Sequence, residues 1–341
     1  MVDATHAPSQ SPARPALLIY AGLGAVAVLG IGLSLMIGPA AYDPVTVWNS
    51  LTAGAGPTVD AVVREIRLPR ALLGFCVGAI LAASGAALQG YLRNPLAEPS
   101  VLGASNAAAL GAAIALYFGL WSVHPLALPL MAVAGAVIAL GLVITLARGA
   151  ESALTLILAG IAVSTLCGAA ISLALNLSPN PFAALEITFW MLGSLQDRTM
   201  AHLALAAPLM AAGFVLIVWD GRALDALSLG EDAATSLGFN LGWVRLRLMA
   251  GVALGVGAAV AVSGAIGFVG LIVPHLMRGL VGYQPSRLIG PSALAGGALL
   301  CFADVLVRII PATNELKLGV ITAFLGIPFF LLLILRAKRL W

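Results

Sequence analysis

Two charged side chains stand four positions apart inside a long apolar segment of this sequence, Asp304 and Arg308. A carboxylate in such a segment is expensive to bury, so it either pairs with a cation or takes part in proton transfer. Four positions is the spacing at which two side chains meet on one helix face. The sequence therefore predicts a structural ion pair, with a proton relay at Asp304 as the alternative.

Three arginines precede another apolar segment at three-residue intervals, Arg64, Arg67 and Arg70. Guanidinium groups pair with carboxylates through two hydrogen bonds, so such a cluster can receive acidic groups of another protein. The alternative is local, with the side chains reaching toward water or pairing with Asp60 or Glu65. Both interpretations stay open from the residues alone.

A short charged segment, residues 228–240, separates two long apolar segments. Its apolar residues recur at helical spacing, and its first and last residues are typical of helix ends. The pattern predicts one compact helix, which either covers the end of a helix bundle or docks a soluble partner. The stripe is Leu229, Ala233 and Leu237, the start is Ser228 with Glu231 as its capping partner, and the end is Gly238 and Asn240.

The chain has 341 residues, of which 61% are hydrophobic and 9% charged, and its mean hydropathy is +1.06. Soluble domains carry about 25% charged residues, so the composition predicts an all-α polytopic membrane protein. The net charge of +3 does not indicate nucleic acid, because the basic residues border the apolar segments. Residues 1–15 predict a disordered cytoplasmic tail, and residues 16–341 a single transmembrane domain.

Ten apolar segments are long enough to cross a bilayer as helices of roughly 20 residues. With the N-terminus inside, eleven of the 17 Lys and Arg residues lie at cytoplasmic ends, which is the expected bias. Both termini and residues 228–240 are therefore predicted to be cytoplasmic. The predicted spans are 16–37, 70–91, 100–119, 126–147, 152–176, 201–219, 245–265, 268–283, 288–310 and 316–336.

Residues 77–86 resemble residues 256–265, and the two lie on predicted spans of opposite direction. Such a pair indicates an inverted repeat, the alternative being coincidence between two segments rich in Ala and Gly. The segments that follow, 93–99 and 263–270, are predicted to be non-helical, which a membrane tolerates only beside protein or water. They indicate a cavity or pathway. Its predicted residues are Asn94, Pro95, Glu98, Pro99, Gly264, Gly267 and Pro274.

Recognisable catalytic motifs are absent from the sequence. The lysines, Lys317 and Lys338, do not follow glycine, so no P-loop for a nucleotide exists. There is no HExxH or GxSxG motif, and Cys76, Cys167 and Cys301 form no CxxC pair. The sequence predicts no catalytic residue, no metal site and no cofactor in this chain. Energy for any pumping is expected to come from another chain.

Eight groups of motifs follow one another in order from about residue 60 to the end of the chain. They are RLPR at 67–70; SGA at 84–86 with QG at 89–90; RNPLAEP at 93–99 with LG at 102–103; FWMLGS at 189–194; SLG at 228–230 with LG at 237–238; GAIGFVGLIVPH at 264–275; AD at 303–304; and ELKLGVITA at 315–323 with GIPFF at 326–330. Together they resemble the permease subunits of bacterial ABC importers for iron–siderophores, haem and vitamin B12, the FecCD family. Ile327 and Lys317 depart from it, since Ala and Pro are frequent at those positions.

The resemblance implies a type II ABC importer permease of the bacterial inner membrane, working as a homodimer with its pathway on the two-fold axis. Two cytoplasmic ATPase subunits, which bind ATP and Mg, dock on the 228–240 segment, and a periplasmic binding protein delivers the chelate. A ferric siderophore ranks first as substrate, then haem or cobalamin; a gradient-driven carrier or channel using Asp304 is the alternative. The residues implied for ATPase coupling are Leu229, Gly230, Glu231, Ala234, Leu237 and Gly238, and those for docking of the binding protein are Arg67, Arg70 and Arg308.

Overall fold

The computed structural model describes residues 16–124, 126–147, 153–178, 181–311 and 316–337. Several predictions concern residues outside these ranges. They are the tail at 1–15, Glu315 of the last motif, and four basic residues of the orientation count, Arg14, Arg148, Lys338 and Arg339.

The described residues form helices and no β-strand, which confirms the all-α prediction. A π-helical segment, Ala61–Arg67, leads into α4, and a 3-10 turn, Pro99–Leu102, leads into α5. The α-helices are α1 (Ala16–Met36), α2 (Pro44–Thr52), α3 (Pro57–Asp60), α4 (Leu68–Tyr91), α5 (Ala104–Tyr117), α6 (Leu120–Val123), α7 (Ala127–Leu146), α8 (Ala153–Asn176), α9 (Pro181–Met191), α10 (Met200–Trp219), α11 (Gly221–Leu227), α12 (Glu231–Ser236), α13 (Leu241–Ser263), α14 (Val269–Val281), α15 (Pro285–Ile309) and α16 (Leu318–Ala337).

Seven helices in the described part of the chain are long and apolar enough to cross a membrane, and α5, α14 and α16 contribute three shorter apolar segments. These helices occupy the positions of the ten predicted spans, while the number of crossings stays a prediction. The spans containing α4 and α13 are the most buried, at 78% of the apolar window, against 11% for α1 and 22% for α10. Residues 77–86 of the predicted inverted repeat therefore lie on α4 and residues 256–263 on α13, the two central helices, whereas 264–265 follow the end of α13.

Glycines, which lack a side chain, allow the backbone of α4 to contact the backbones of α14 and α15. A Cβ added at Gly78 on α4 would lie 2.2 Å from the carbonyl oxygen of Gly296 on α15. A Cβ added at Gly85, two turns further along α4, would lie 1.9 Å from the carbonyl oxygen of Gly270 on α14. Because lipid is as apolar as the side chains, close van der Waals packing of this kind holds membrane helices together.

Most residues of the two segments predicted to be non-helical, 93–99 and 263–270, are non-helical. Residues 93–98 form turns, and the 3-10 helix begins at Pro99. Between α13 and α14 only residues 264–268 are non-helical, because Ser263 still belongs to α13 and Val269 already begins α14. The predicted irregular stretch was therefore too long by three residues.

One helix lies within residues 228–240, as predicted, but its predicted start at Ser228 is wrong. α11 ends before Ser228 and α12 has only six residues. Ser228 does not cap α12, since its hydroxyl donates to the Asp225 carbonyl at 2.6 Å, at the end of α11. Gly230 and Gly238 have φ angles of 116° and 89°, which glycine adopts without steric cost, so the chain turns on both sides of α12.

Candidate functional site

Asp304 is the centre of a buried charge cluster in which three helices meet. The side chain is 1% exposed, and its carboxylate accepts hydrogen bonds from Nε and Nη2 of Arg70 at 2.9–3.1 Å. Nη2 of Arg308 lies 2.9 Å from Oδ2 of the same carboxylate. The predicted pair of Asp304 with Arg308 is confirmed, and Arg70 is a second partner that helical spacing did not connect to Asp304.

Two of the arginines also hold the end of α1. The last carbonyl groups of a helix have no partner within the helix and favour nearby positive charge. Nη1 of Arg67 donates to the carbonyls of Leu35 and Met36, each at 2.9 Å. Nη1 of Arg308 donates to the carbonyl of Ser34 at 2.9 Å. The arginines therefore join α1 to α4 and α15 at this end of the bundle.

The three arginines predicted to dock a binding protein are not on an open surface. Arg67 is 3% exposed and Arg70 is 8% exposed, and the side chain of Arg308 is 5% exposed. Arg64, which precedes them in the same arginine cluster, is exposed, and its Nε donates to the Ser50 carbonyl at 2.6 Å. Of the four arginines of the predicted outward-facing patch, Arg64 is therefore exposed and the other three are buried in this structure, and their docking role stays a prediction.

Gln89, near the end of α4, joins two of the predicted pathway segments. The side chain is 3% exposed, and its amide nitrogen donates to the carbonyls of Ala97 and Gly270, each at 3.2 Å. Its amide oxygen accepts from Nη2 of Arg278 at 2.6 Å. Gln89 was part of the motifs that carried the resemblance but received no role, because the partners of a glutamine amide depend on tertiary packing.

Predicted pathway residues after α4 fall into two groups. Asn94 and Pro95 are exposed, and the side-chain oxygen of Asn94 accepts from the backbone N–H of Leu96 at 2.9 Å. Glu98 accepts a hydrogen bond from the Ser100 hydroxyl. Pro99 is buried, and its ring would lie 2.9 Å from a Cβ added at Gly270. The turn is thus anchored to α14 at Pro99, whereas a role in transport for these four residues stays a prediction.

The remaining predicted residues lie around α14. Gly264 has a φ of 69°, and a Cβ added there would lie 2.2 Å from the Trp190 carbonyl oxygen at the end of α9. Pro274 is buried within α14. A Cβ added at Gly267 would meet no heavy atom within 4 Å. Gly264 is therefore required by the close approach of α9, whereas Gly267 is not required by packing.

An apolar cavity of about 300 Å³ opens where the end of α9, the 264–268 segment and α16 meet. Its wall includes Met191, Ala265, Phe324 and Ile327. Gly319 at the start of α16 allows α16 to approach the end of α9, since a Cβ added there would lie 2.4 Å from the Leu192 carbonyl oxygen. The predicted pathway residues Gly264, Pro274 and those of the 93–99 turn are not among its lining residues, although Gly264 directly precedes Ala265 in the chain.

The segment around α12 carries two leucines that the described part of the chain leaves uncovered. Leu229 is 74% exposed and Leu237 is 63% exposed, whereas Ala234 is fully buried. Leu229 precedes α12 and Ala233 is partly buried, so the predicted stripe does not form one helix face; its two leucines are exposed, and Ala234 makes the internal contact instead. Glu231 and Gly238 line an open groove of about 960 Å³ beside α12.

The FecCD transport family model matches residues 26–336 of the sequence. The chain belongs to this family. Among its relatives, the hemin transport system permease protein HmuU of Yersinia pestis is 38% identical over 336 residues, covering 96% of this chain and 97% of that protein. The vitamin B12 import system permease protein BtuC of Escherichia coli (strain HS) is 39% identical over 287 residues, covering 83% of this chain and 86% of that protein.

A solved structure with the same architecture extends the FecCD assignment to the fold. It is an inward-facing conformation of a metal-chelate type ABC transporter and aligns with a TM-score of 0.84 at 31% identity. The alignment covers 94% of this chain and 99% of the solved chain. The family, the permease relatives and the shared fold show a permease subunit of an ABC importer with type II architecture, which confirms the resemblance seen in the sequence.

Proposed function

We propose that this FecCD chain forms the membrane pathway of an ATP-driven importer that carries a metal chelate across the bacterial inner membrane. The observation that carries the proposal is the apolar surface of Leu229 and Leu237, which are 74% and 63% exposed next to α12. Both leucines lie outside the predicted membrane spans, so contact with lipid does not explain their exposure, and binding of another protein would cover them. This surface receives a separate ATPase subunit, because the chain has no P-loop of its own.

The orientation follows the predicted distribution of charge. With α12 and both termini on the cytoplasmic side, Asp304 and the end of α1 lie near the outer surface. A periplasmic binding protein would deliver the chelate there. Arg64, which is exposed, is available to meet it directly, and Arg67, Arg70 and Arg308 would first have to exchange their present partners.

The pathway proposed for the chelate runs past the apolar cavity between α9 and α16. Phe324 and Ile327 on its wall are 72% and 49% exposed, so one copy of the chain leaves this wall open. A second copy would supply the opposite wall, as the predicted homodimer requires. Walls of small and apolar side chains suit a bulky chelate, because they offer few polar groups to retain it.

The substrate we propose is a metal chelate, with ferric siderophores, haem and cobalamin as the candidates. The relatives named for hemin and for vitamin B12 are equally similar to this chain, at 38% and 39% identity. Overall identity therefore does not select between them. The prediction that a ferric siderophore ranks first stays a prediction until uptake is measured.

The experiment that tests the proposal isolates the complex from its own cells in mild detergent and compares L229D and L237D with the wild type. We expect a two-plus-two assembly with an ATPase, which either substitution dissociates without lowering the unfolding temperature, since both leucines are exposed. The matched control is V45D, which alters a residue on α2 that is 65% exposed. A wild-type homodimer that carries no ATPase, or variants that keep it, would contradict the proposal.

A further inference from the structure

Asp225 on α11 holds the first turn of α15. One carboxylate oxygen accepts from the backbone N–H of Ser286 at 2.8 Å. The other accepts from the Ser286 hydroxyl at 2.6 Å and from the side-chain amide of Gln284 at 2.8 Å. Gln284 occupies the capping position of α15 but its side chain makes no capping hydrogen bond. Since the first N–H groups of a helix need acceptors and favour negative charge, Asp225 caps α15 from another helix.

A second charged group fastens the start of α11 to α13. Asp220 is 3% exposed and accepts from Nε and Nη2 of Arg247 at 2.9 and 2.6 Å. The backbone of α11 also lies close to α15, because a Cβ added at Gly221 would sit 3.2 Å from the Ser286 Cβ. α11 is therefore attached to both α13 and α15, and only residues 228–230 separate it from α12.

α15 reaches from this attachment to the charge cluster at the other end of the bundle. Its 25 residues span about 37 Å at 1.5 Å per residue. Near the far end Asp304 binds Arg70 of α4, and midway Gly296 packs directly on α4. Because α15 is a single helix over this length, a displacement of its first turn can be carried toward the Asp304 end.

We infer that Asp225 is a positioning residue that transmits movement of the α11–α12 segment to α15, and so couples ATP hydrolysis to the opening of the pathway. The inference rests on the proposed function, in which α12 contacts the ATPase. Asp225 is suited to this task because its bonds cross between two helices, whereas a cap within α15 would hold that helix without attaching it to α11.

The experiment separates attachment from capping. D225A removes both. D225A combined with Q284D restores a cap within α15, since Asp is favoured at that position and Gln284 already has the extended backbone of a capping residue. D43A is the matched control, because Asp43 caps α2 by accepting from the Thr46 N–H at 3.2 Å, and α2 is not attached to α11.

Each variant is purified with its ATPase and placed in liposomes. ATP hydrolysis, thermal unfolding and uptake of haemin, cyanocobalamin or a ferric hydroxamate, whichever the wild type transports, are then measured. We expect D225A to keep its ATPase and to lose about 2- to 30-fold in uptake per ATP, the range found when a coupling residue is changed. D225A/Q284D should regain the unfolding temperature but not the uptake, and D43A should keep wild-type uptake per ATP.

Recovery of uptake in D225A/Q284D would show that Asp225 only caps α15 and would overturn the inference. Wild-type coupling in D225A, or in D225A/Q284D if D225A alone does not fold, would overturn it as well. These results differ from failure of the proposed function itself, in which the wild-type chain would bind no ATPase.

Discussion

Removing the charge of Asp304 tests whether this carboxylate stabilises the fold or moves protons. D304N keeps the shape of the side chain and removes the negative charge shared by Arg70 and Arg308. Both guanidinium groups then remain in an environment where the side chain of Arg70 is 9% exposed and that of Arg308 is 5% exposed. A structural role predicts a large loss of stability and no specific loss of transport.

The expected loss follows from the burial of the cluster. Breaking a buried ion pair by removing one partner costs about 3–5 kcal/mol, because the other charge loses its counter-ion. Unfolding entropy is about 2.1 cal/mol/K per residue, which gives roughly 0.7 kcal/mol/K for the 341 residues of this chain. The unfolding temperature of D304N should therefore fall by about 4–7 °C.

The assay combines thermal unfolding in detergent with ATP-driven uptake in liposomes, counted per folded transporter. D197N is the control, because Asp197 is exposed and its φ of 57° suits Asn equally well. We expect D304N to unfold at lower temperature but to transport at the wild-type rate while folded. D197N should change neither quantity.

An unchanged unfolding temperature together with abolished uptake would refute this reasoning. It would favour the alternative in which Asp304 couples transport to a proton gradient. Collapsing the pH gradient across the liposome membrane would then stop uptake in the wild type, whereas an importer driven by ATP continues.

Two further substitutions test other parts of the structure. R67M should remove the hydrogen bonds to the Leu35 and Met36 carbonyls and speed amide exchange near the end of α1, measured by mass spectrometry; unchanged exchange would show that other groups hold this end. G85A should lower the stability by about 1–3 kcal/mol, since its Cβ would lie 1.9 Å from the Gly270 oxygen. G267A is its control in the same thermal assay, because no heavy atom lies within 4 Å of the added Cβ. Equal losses of stability in G85A and G267A would contradict the packing argument.

Much of the architecture could be predicted because it depends on local properties of the chain. Crossing a bilayer requires long apolar segments, so hydropathy alone located the seven long apolar helices and the three shorter ones that the described residues form. Helical spacing alone paired Asp304 with Arg308. The order of the motifs was sufficient to indicate the FecCD family, which the match over residues 26–336 confirms.

Local patterns failed where a side chain or a turn has more than one possible partner. Ser228 has the spacing of a helix start, yet the chain turns at Gly230 and Ser228 closes α11 instead. Their spacing placed Leu229 and Leu237 on one helix face, but the turn at Gly230 separates Leu229 from α12, and the sequence did not show whether the bundle covers either residue. Periodicity reports which residues share a face and not what that face contacts.

Tertiary structure alone decided the use of the charged residues. Arg70 lies 234 positions from Asp304 in sequence and Asp225 lies 61 positions from Ser286, so no spacing rule connects them. Arg67 was predicted to face outward, whereas folding brings the unpaired carbonyls at the end of α1 within its reach. Buried charges take the partners that packing presents, because leaving them unpaired costs more than any local preference supplies.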